Sequence, residues 1–419
     1  MRELNYDVVI GGGGTAGVAA AIGAAQTGAR TLLIERSGYL GGEATHAGVG
    51  AFCGIYTCGE DPQKCVAGAA DMILDEMESL YEGSIEWIIS AAGNRNVQYK
   101  TEYLKVAMDN ILERLKVDVL FHTTIIEAEA EGDELKSLIC ADDEGKFRVR
   151  AWSFVDATGD ANIAHLAGAA TMWGDQNGAV QAATLPFRLS NVDITKDMTP
   201  SAVERAVKAG KEAGIPNLTR ERGFVQKMTG SNEVYVLLPS TIPAGLTAQE
   251  LTRMEHETRK QAIYYVEAFR RFMPGMENCE LTMIGPSIGL RETRRIEGRE
   301  MLTAMNVLQR HKCEDSVARG GWKPEIHMQL NEAAVYIDVP GASYYDISLG
   351  CLQSKDLKNL YASGRNVSAD SPAMAAVRVM GTCFATGQAA GVAAAIQAVE
   401  GEPVVKRIQE ELTRQGALI

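Results

Sequence analysis

Residues 6–35 read YDVVIGGGGTAGVAAAIGAAQTGARTLLIE, and this stretch decides the fold. A short apolar run, 6–10, has the composition of a strand and leads straight into Gly12-x-Gly14-x-x-Gly17. An alanine-rich helical run follows, closed by Gly28, and residues 29–34 supply a second strand that ends at Glu35. A glycine-rich turn between strand and helix lets backbone come close to a pyrophosphate. The helix N-terminus then meets the negative charge with free N–H groups and its dipole. Glu35, at the end of the second strand, is placed to accept hydrogen bonds from an adenosine ribose. Strand, helix, second strand and acidic residue stand in register, which is far more specific than the glycines alone.

Working outward, 419 residues are too many for one ordinary core and fit two domains, or one large domain with an insertion. A hydrophobic share of 46% beside 23% charged residues is that of a globular protein. The net charge of −13 argues against nucleic acid or an anionic membrane as a partner, yet leaves room for a local basic pocket. No apolar run is expected to span a membrane. With the first strand so near the start, a signal peptide is not expected either. The eight cysteines show no CxxC pair and no metal-ligand spacing, so reduced thiols in a cytoplasmic protein are the expectation. Cys53 and Cys58 read as buried thiols.

Residues 68–81 and 101–116 read as helices, the second with Leu104, Met108, Ile111, Leu112 and Leu115 at helical spacing. Residues 117–122 read as a strand, and 125–149 as a three-stranded meander broken at Glu131-Gly132-Asp133 and Asp143-Glu144-Gly145. Phe154-Val155-Asp156-Ala157-Thr158-Gly159-Asp160 is a strand ending in a tight turn. The texture changes near Met172, with amphipathic helices expected over 201–213 and 248–272. It returns near 280, and a small-residue helix is expected over 375–399.

Several of these segments resemble the flavoproteins of the glutathione-reductase-like superfamily, and more narrowly the FAD-dependent oxidoreductases. The resemblance rests on Gly12/Gly14/Gly17/Ala21/Gly28/Glu35, on Gly41-Gly42-Glu43-Ala44-Thr45 and on Asp156-Ala157-Thr158-Gly159-Asp160. It continues through Gly289-Leu290-Arg291-Glu292-Thr293-Arg294-Arg295, 359–365, Arg378-Val379-Met380 and Gly387-Gln388-Ala389-Ala390-Gly391. It implies an α/β fold with a Rossmann-like FAD-binding domain built from 1–172 and 280–419. A smaller α+β substrate domain, 173–279, is inserted between them.

Carried over by residue, the resemblance places Gly12, Gly14 and Gly17 at the FAD pyrophosphate and Glu35 at the ribose. Ala157, Thr158 and Gly159 close a turn at the adenine end. Gly364 and Arg365 lie by the ribityl and pyrophosphate groups, although many relatives in the wider superfamily carry Gly-Asp there. Thr15, Ala16, Arg36, Gly42, Ala44, Thr45 and Arg378 complete the expected cofactor set. The helix near Ala375 should aim its N-terminus at the flavin pyrimidine edge, where a dipole stabilises negative charge by up to about 2 kcal/mol.

For chemistry, Arg291, Arg294, Arg295 and Arg299 form the one dense cationic run. Read as a strand, it puts Arg291 and Arg295 on one face and Arg294 on the other. Arg291 could grip a substrate carboxylate bidentately. The alternative is ion pairing of these arginines with Glu292, Glu297 and Glu300. His46 is a candidate base or covalent flavin attachment point, against a loop histidine bonded to backbone. Tyr345, with His327 and Tyr344, is a candidate by position, as a proton donor.

The implied reaction is two-electron hydride transfer between a small organic substrate and flavin N5, with the substrate anionic if Arg291 faces it. The alternatives are a flavin subunit of an electron-transfer complex and a tRNA-modifying flavoprotein. No metal, nucleic-acid or membrane partner is expected, and oligomeric state is left open.

Overall fold

The computed structural model describes residues 1–90, 93–228, 230–331, 334–339 and 343–419. Its centre is a parallel sheet in the order Asp118–Leu120, Thr31–Ile34, Arg2–Gly11, Gly145–Asp156, with Leu360–Ala362 on the far side of the last strand. The buried run Val8, Val9 and Ile10 explains why Arg2–Gly11 takes the middle: a strand covered on both faces carries an unbroken apolar stretch.

The expected meander is present as Thr124–Glu131, Glu134–Asp142 and Gly145–Asp156. Its third strand does not stop at Val149. It runs on through Phe154 to Asp156, so one twelve-residue strand serves the meander first and the parallel sheet second. The sequence suggests two strands because Lys146–Trp152 alternates in polarity while Ser153–Asp156 is wholly buried. Each half matches its own surroundings.

The first helix, Thr15–Gln26, and the long helix Met380–Glu400 pack against each other through small residues. A Cβ on Gly391 would stand 2.0 Å from the Ala20 carbonyl oxygen, so glycine is what allows this approach. The small-residue helix does not start at Ala375. Ser371–Val377 is a separate short helix, and extended Val379 (φ −66°, ψ 145°) breaks the chain before Met380. Met380–Glu400 is the one described helix long and apolar enough to cross a membrane, contrary to the expectation from the sequence. With 78% of its apolar window buried inside the fold, it is a core helix here.

A second core is built from Phe187, Leu189, Val203, Val207, Val234, Val236, Tyr265 and Phe269. Its antiparallel sheet runs Phe224–Lys227, Val234–Leu237, Phe187–Ser190, Glu280–Ile284. Helices Pro200–Glu212 and Ala248–Phe272 accompany it, each opened by a threonine cap, Thr199 and Thr247. The sheet draws in Glu280–Ile284, which by sequence belongs to the returning segment. This strand alternates exposed and half-buried residues, so it shows no apolar run to mark it. Ala51–Phe52, Ile85–Ile89 and Arg95–Tyr99 form a further three-stranded sheet that the sequence does not announce.

Candidate active site

The N-termini of the two packed helices open on one cleft of about 450 Å³, within the usual range for small-molecule sites. Gly12, Gly14, Thr15 and Ala16 line it from the first helix and its turn, and Met380 and Cys383 from the long helix. Glu35, Arg36, Tyr39, Gly42, Glu43 and His46 form one wall, and Ala157, Thr158, Gly159, Asp160, Gly364, Arg365 and Arg378 another. Helix Ala248–Phe272 contributes Leu251, Glu255 and Arg259, and the chain entering Arg291 contributes Pro286, Ser287, Ile288 and Leu290.

The glycine-rich turn is held by its neighbours. Gly12 has φ +99°, and a Cβ there would lie 2.4 Å from the Ala157 carbonyl oxygen. Gly17 faces the Gly12 carbonyl rather than the cleft, with only 1.8 Å for a Cβ. Gly14 differs: a Cβ would meet nothing nearer than Gly42 Cα at 3.8 Å. The Glu35 carboxylate accepts hydrogen bonds from the Gly13 and Ser37 amides, 2.7 Å each. That fixes its orientation and leaves lone pairs for two hydroxyls.

Buried Asp156 is the organiser behind the wall. It accepts from Thr158 Oγ1 (2.6 Å), the Ala164 amide (3.0 Å) and Asn366 Nδ2 (2.8 Å), joining the 157–164 turn to the Gly364 loop. Arg365 lies between Asp160 (3.4 Å) and Glu43 (3.7 Å). Burial raises the Glu43 carboxyl above its ordinary pKa, and Arg365 opposes this.

Other expected residues stand elsewhere. Ala44 is buried in the core, and Thr45 turns inward to donate to the Leu40 carbonyl at 2.6 Å. His46 lies with Tyr39, whose hydroxyl is 3.1 Å from Nδ1, beside Arg36 and Glu35. Burial and Arg36 lower its pKa. This puts His46 on the Glu35 side of the cleft. Tyr345 is fully buried against Gly320 and is not a cleft residue. It sits on a strand facing inward, a direction its position in sequence could not show.

The arginine run is not one strand. Only Arg294–Ile296 is, so the expected sharing of a face by Arg291 and Arg295 does not hold. Arg295 is a buried structural residue that pairs with Glu292 at 2.9 Å and donates to the Ala369 and Gly174 carbonyls. Arg294 holds the Asp160 carbonyl and Asn162. Arg291 instead donates through Nη1 to the Ala182 carbonyl and Thr184 Oγ1, 2.6 Å each. Burial, then the charges of Arg378 and Arg220, bring its pKa down to about 9.

Arg378 links this group to the cleft, donating to the Glu325 carbonyl at 3.0 Å. Glu325 Oε1 is 3.0 Å from His327 Nε2, and Arg220 Nη2 is 2.9 Å from His327 Nδ1. A guanidinium only donates, so Nδ1 accepts and the imidazole proton resides on Nε2, donated to Glu325. Burial and the charge of Arg291 hold the His327 pKa down at about 3. Burial would raise the Glu325 carboxyl, but the bond from His327 and the charges of Arg378 and Arg291 keep it well below the usual range. Arg220 and Glu325 were not expected from sequence, lying far from any recognisable motif.

A glycine turn at a helix N-terminus, a ribose-side carboxylate and a second helix N-terminus along one cleft define a dinucleotide-binding flavoprotein of the Rossmann type. Residues 7–414 match the family described as FAD dependent oxidoreductase, and the chain belongs to it. FAD is its cofactor, and the open space at Gly14 and the anchored Glu35 fit that group.

Among characterised proteins, thiamine thiazole synthase of Aeropyrum pernix is 27% identical over 234 residues, 52% of this chain and 78% of its own length. The p-nitrophenol 4-monooxygenase of Pseudomonas putida superposes with TM-score 0.53 at 12% identity, covering 98% of this chain and 84% of its own. Anhydrotetracycline hydroxylase of Streptomyces rimosus gives 0.50 at 12%, covering 98% and 66%. At such identities the structural likeness concerns the fold alone.

Proposed function

We propose that the chain catalyses two-electron transfer of a hydride between a small organic substrate and flavin N5. When bound, FAD supplies the hydride-accepting or hydride-donating centre. The chain's part is to bind, orient and exclude water. The amides of Thr15 and Ala16, in the first turn of the helix with no intrahelical acceptor of their own, would hold the pyrophosphate. Glu35 would orient the ribose. The helix N-terminus at Met380–Cys383 offers a positive dipole to charge in the cleft.

The observation that carries this reading is the polar group of buried His327 with half-buried Arg291 and Glu325, adjoining the cleft through Arg378. Buried charges cost free energy unless matched, and they concentrate where a reacting group must be held. The test mixes FAD-loaded protein with small organic donors in the absence of oxygen and follows flavin absorbance. Bleaching matched by one equivalent of oxidised product supports hydride transfer. Bleaching only by a reduced electron-carrier protein refutes it in favour of an electron-transfer subunit.

A further inference from the structure

Three guanidiniums gather behind the cleft. Arg220 is only 3% exposed, while Arg291 and Arg378 are half-buried and retain some solvent access. Their immediate carboxylate is Glu325, already engaged by His327 at 3.0 Å and by the Trp322 indole N–H at 3.2 Å. His327 is neutral at neutral pH, because its Nδ1 accepts from Arg220. Glu43 and Asp160, on the cleft side, flank Arg365. Arg365 is thereby matched, while Arg220, Arg291 and Arg378 have Glu325 as their shared carboxylate.

The donors are unmatched too. Arg220 Nε and Arg378 Nε have no hydrogen-bond partner among the described residues. Arg291 commits Nη1 to the protein, and its half-buried side chain leaves the Nε and Nη2 edge open to solvent rather than buried. Unsatisfied buried donors and unmatched charge both cost stability, and one planar oxyanion relieves both.

We infer that the substrate carries a carboxylate, received by Arg291 with Arg378 on the cleft side and Arg220 behind, and that His327 positions Arg220. This rests on the hydride-transfer reading and adds to it the chemical class of the substrate. A guanidinium fork matches a carboxylate in two parallel hydrogen bonds, whereas a neutral amide would turn an N–H towards one of these donors. His327 acts through Arg220, since both its ring nitrogens are already engaged.

The test titrates FAD-loaded protein with acetate, succinate and benzoate, with the matching amides, and with inorganic phosphate. Binding is read from the flavin difference spectrum and from the melting temperature. At least one carboxylate should bind ten-fold or more tighter than its amide and than phosphate. Arg291→Gln should weaken it at least ten-fold with FAD stoichiometry unchanged. His327→Gln keeps a side-chain acceptor for Arg220 and should weaken it less than ten-fold, whereas His327→Leu removes that acceptor and should weaken it ten-fold or more, a rescue that a merely structural role would not show.

Equal binding of amide and acid, tighter binding of phosphate, no binding by any carboxylate, or indifference to Arg291→Gln overturns the inference. Hydride transfer would stand separately if a neutral donor still bleached the flavin. Bleaching only by a reduced electron-carrier protein would remove that reading instead.

Discussion

Gly14 separates cofactor binding from folding. Its backbone sits at φ −68°, ψ 178°, extended geometry open to any residue. The space beside it is empty to 3.8 Å, and it lines the cleft. Gly14→Leu should therefore leave the apo protein folded, with stability changed by no more than about 1 kcal/mol. The new side chain would fill the cleft beside Thr15 and Ala16, whose amides are the proposed pyrophosphate donors. Losing two hydrogen bonds to a charged group, at roughly 1.5–3 kcal/mol each, removes about 3–6 kcal/mol. At about 1.4 kcal/mol per decade, the FAD dissociation constant should rise some hundred- to ten-thousand-fold. Fluorescence titration of apoprotein with FAD measures this, and urea unfolding of the apo forms checks the fold. A Gly14→Leu protein that binds FAD as tightly as the parent would refute the reasoning, and so would one that fails to fold. Gly12→Ala is the contrast, because its Cβ collides with the Ala157 carbonyl and should damage folding itself.

Gly391→Ala should destabilise by about 1–3 kcal/mol, since a 2.0 Å approach to the Ala20 carbonyl forces the two helices apart; urea midpoints would show it. Arg295→Met strands Glu292 in the core and should cost about 3–5 kcal/mol, while adding Glu292→Leu should recover part of it in a double-mutant cycle. The pH dependence follows from His327. Below pH 6.5 the unfolded chain takes up a proton that folded His327, with its pKa near 3, refuses, so stability falls with acid by about 2 kcal/mol at pH 5. In His327→Gln the difference in urea midpoint between pH 7 and pH 5 should shrink, and an unchanged difference would dismiss the assignment.

The cofactor end of the molecule was legible because its signals are local. A glycine forced to φ +99°, a carboxylate closing a strand and a small-residue helix are each set by backbone neighbours within a few positions. Helix 248–272 was readable from its amphipathic pattern. Arg291 and His327 were singled out in the sequence, but their grouping with Arg220 and Glu325 was not legible, because it is assembled at long range. Arg220 meets His327 across 107 positions, and Arg291 meets Ala182 across 109. Tyr345 illustrates the same limit, since nothing near it in sequence tells core from cleft. The break at Val379 was hidden because no proline marks it and small and apolar residues flank it on both sides.

The most direct test of the central claim is the visible absorption spectrum of the purified protein, repeated on supernatant and pellet after acid precipitation. The account predicts a flavin spectrum that passes to the supernatant as FAD, because the cleft holds it through backbone amides, Glu35 and Arg365. A colourless protein that also refuses added FAD would contradict it.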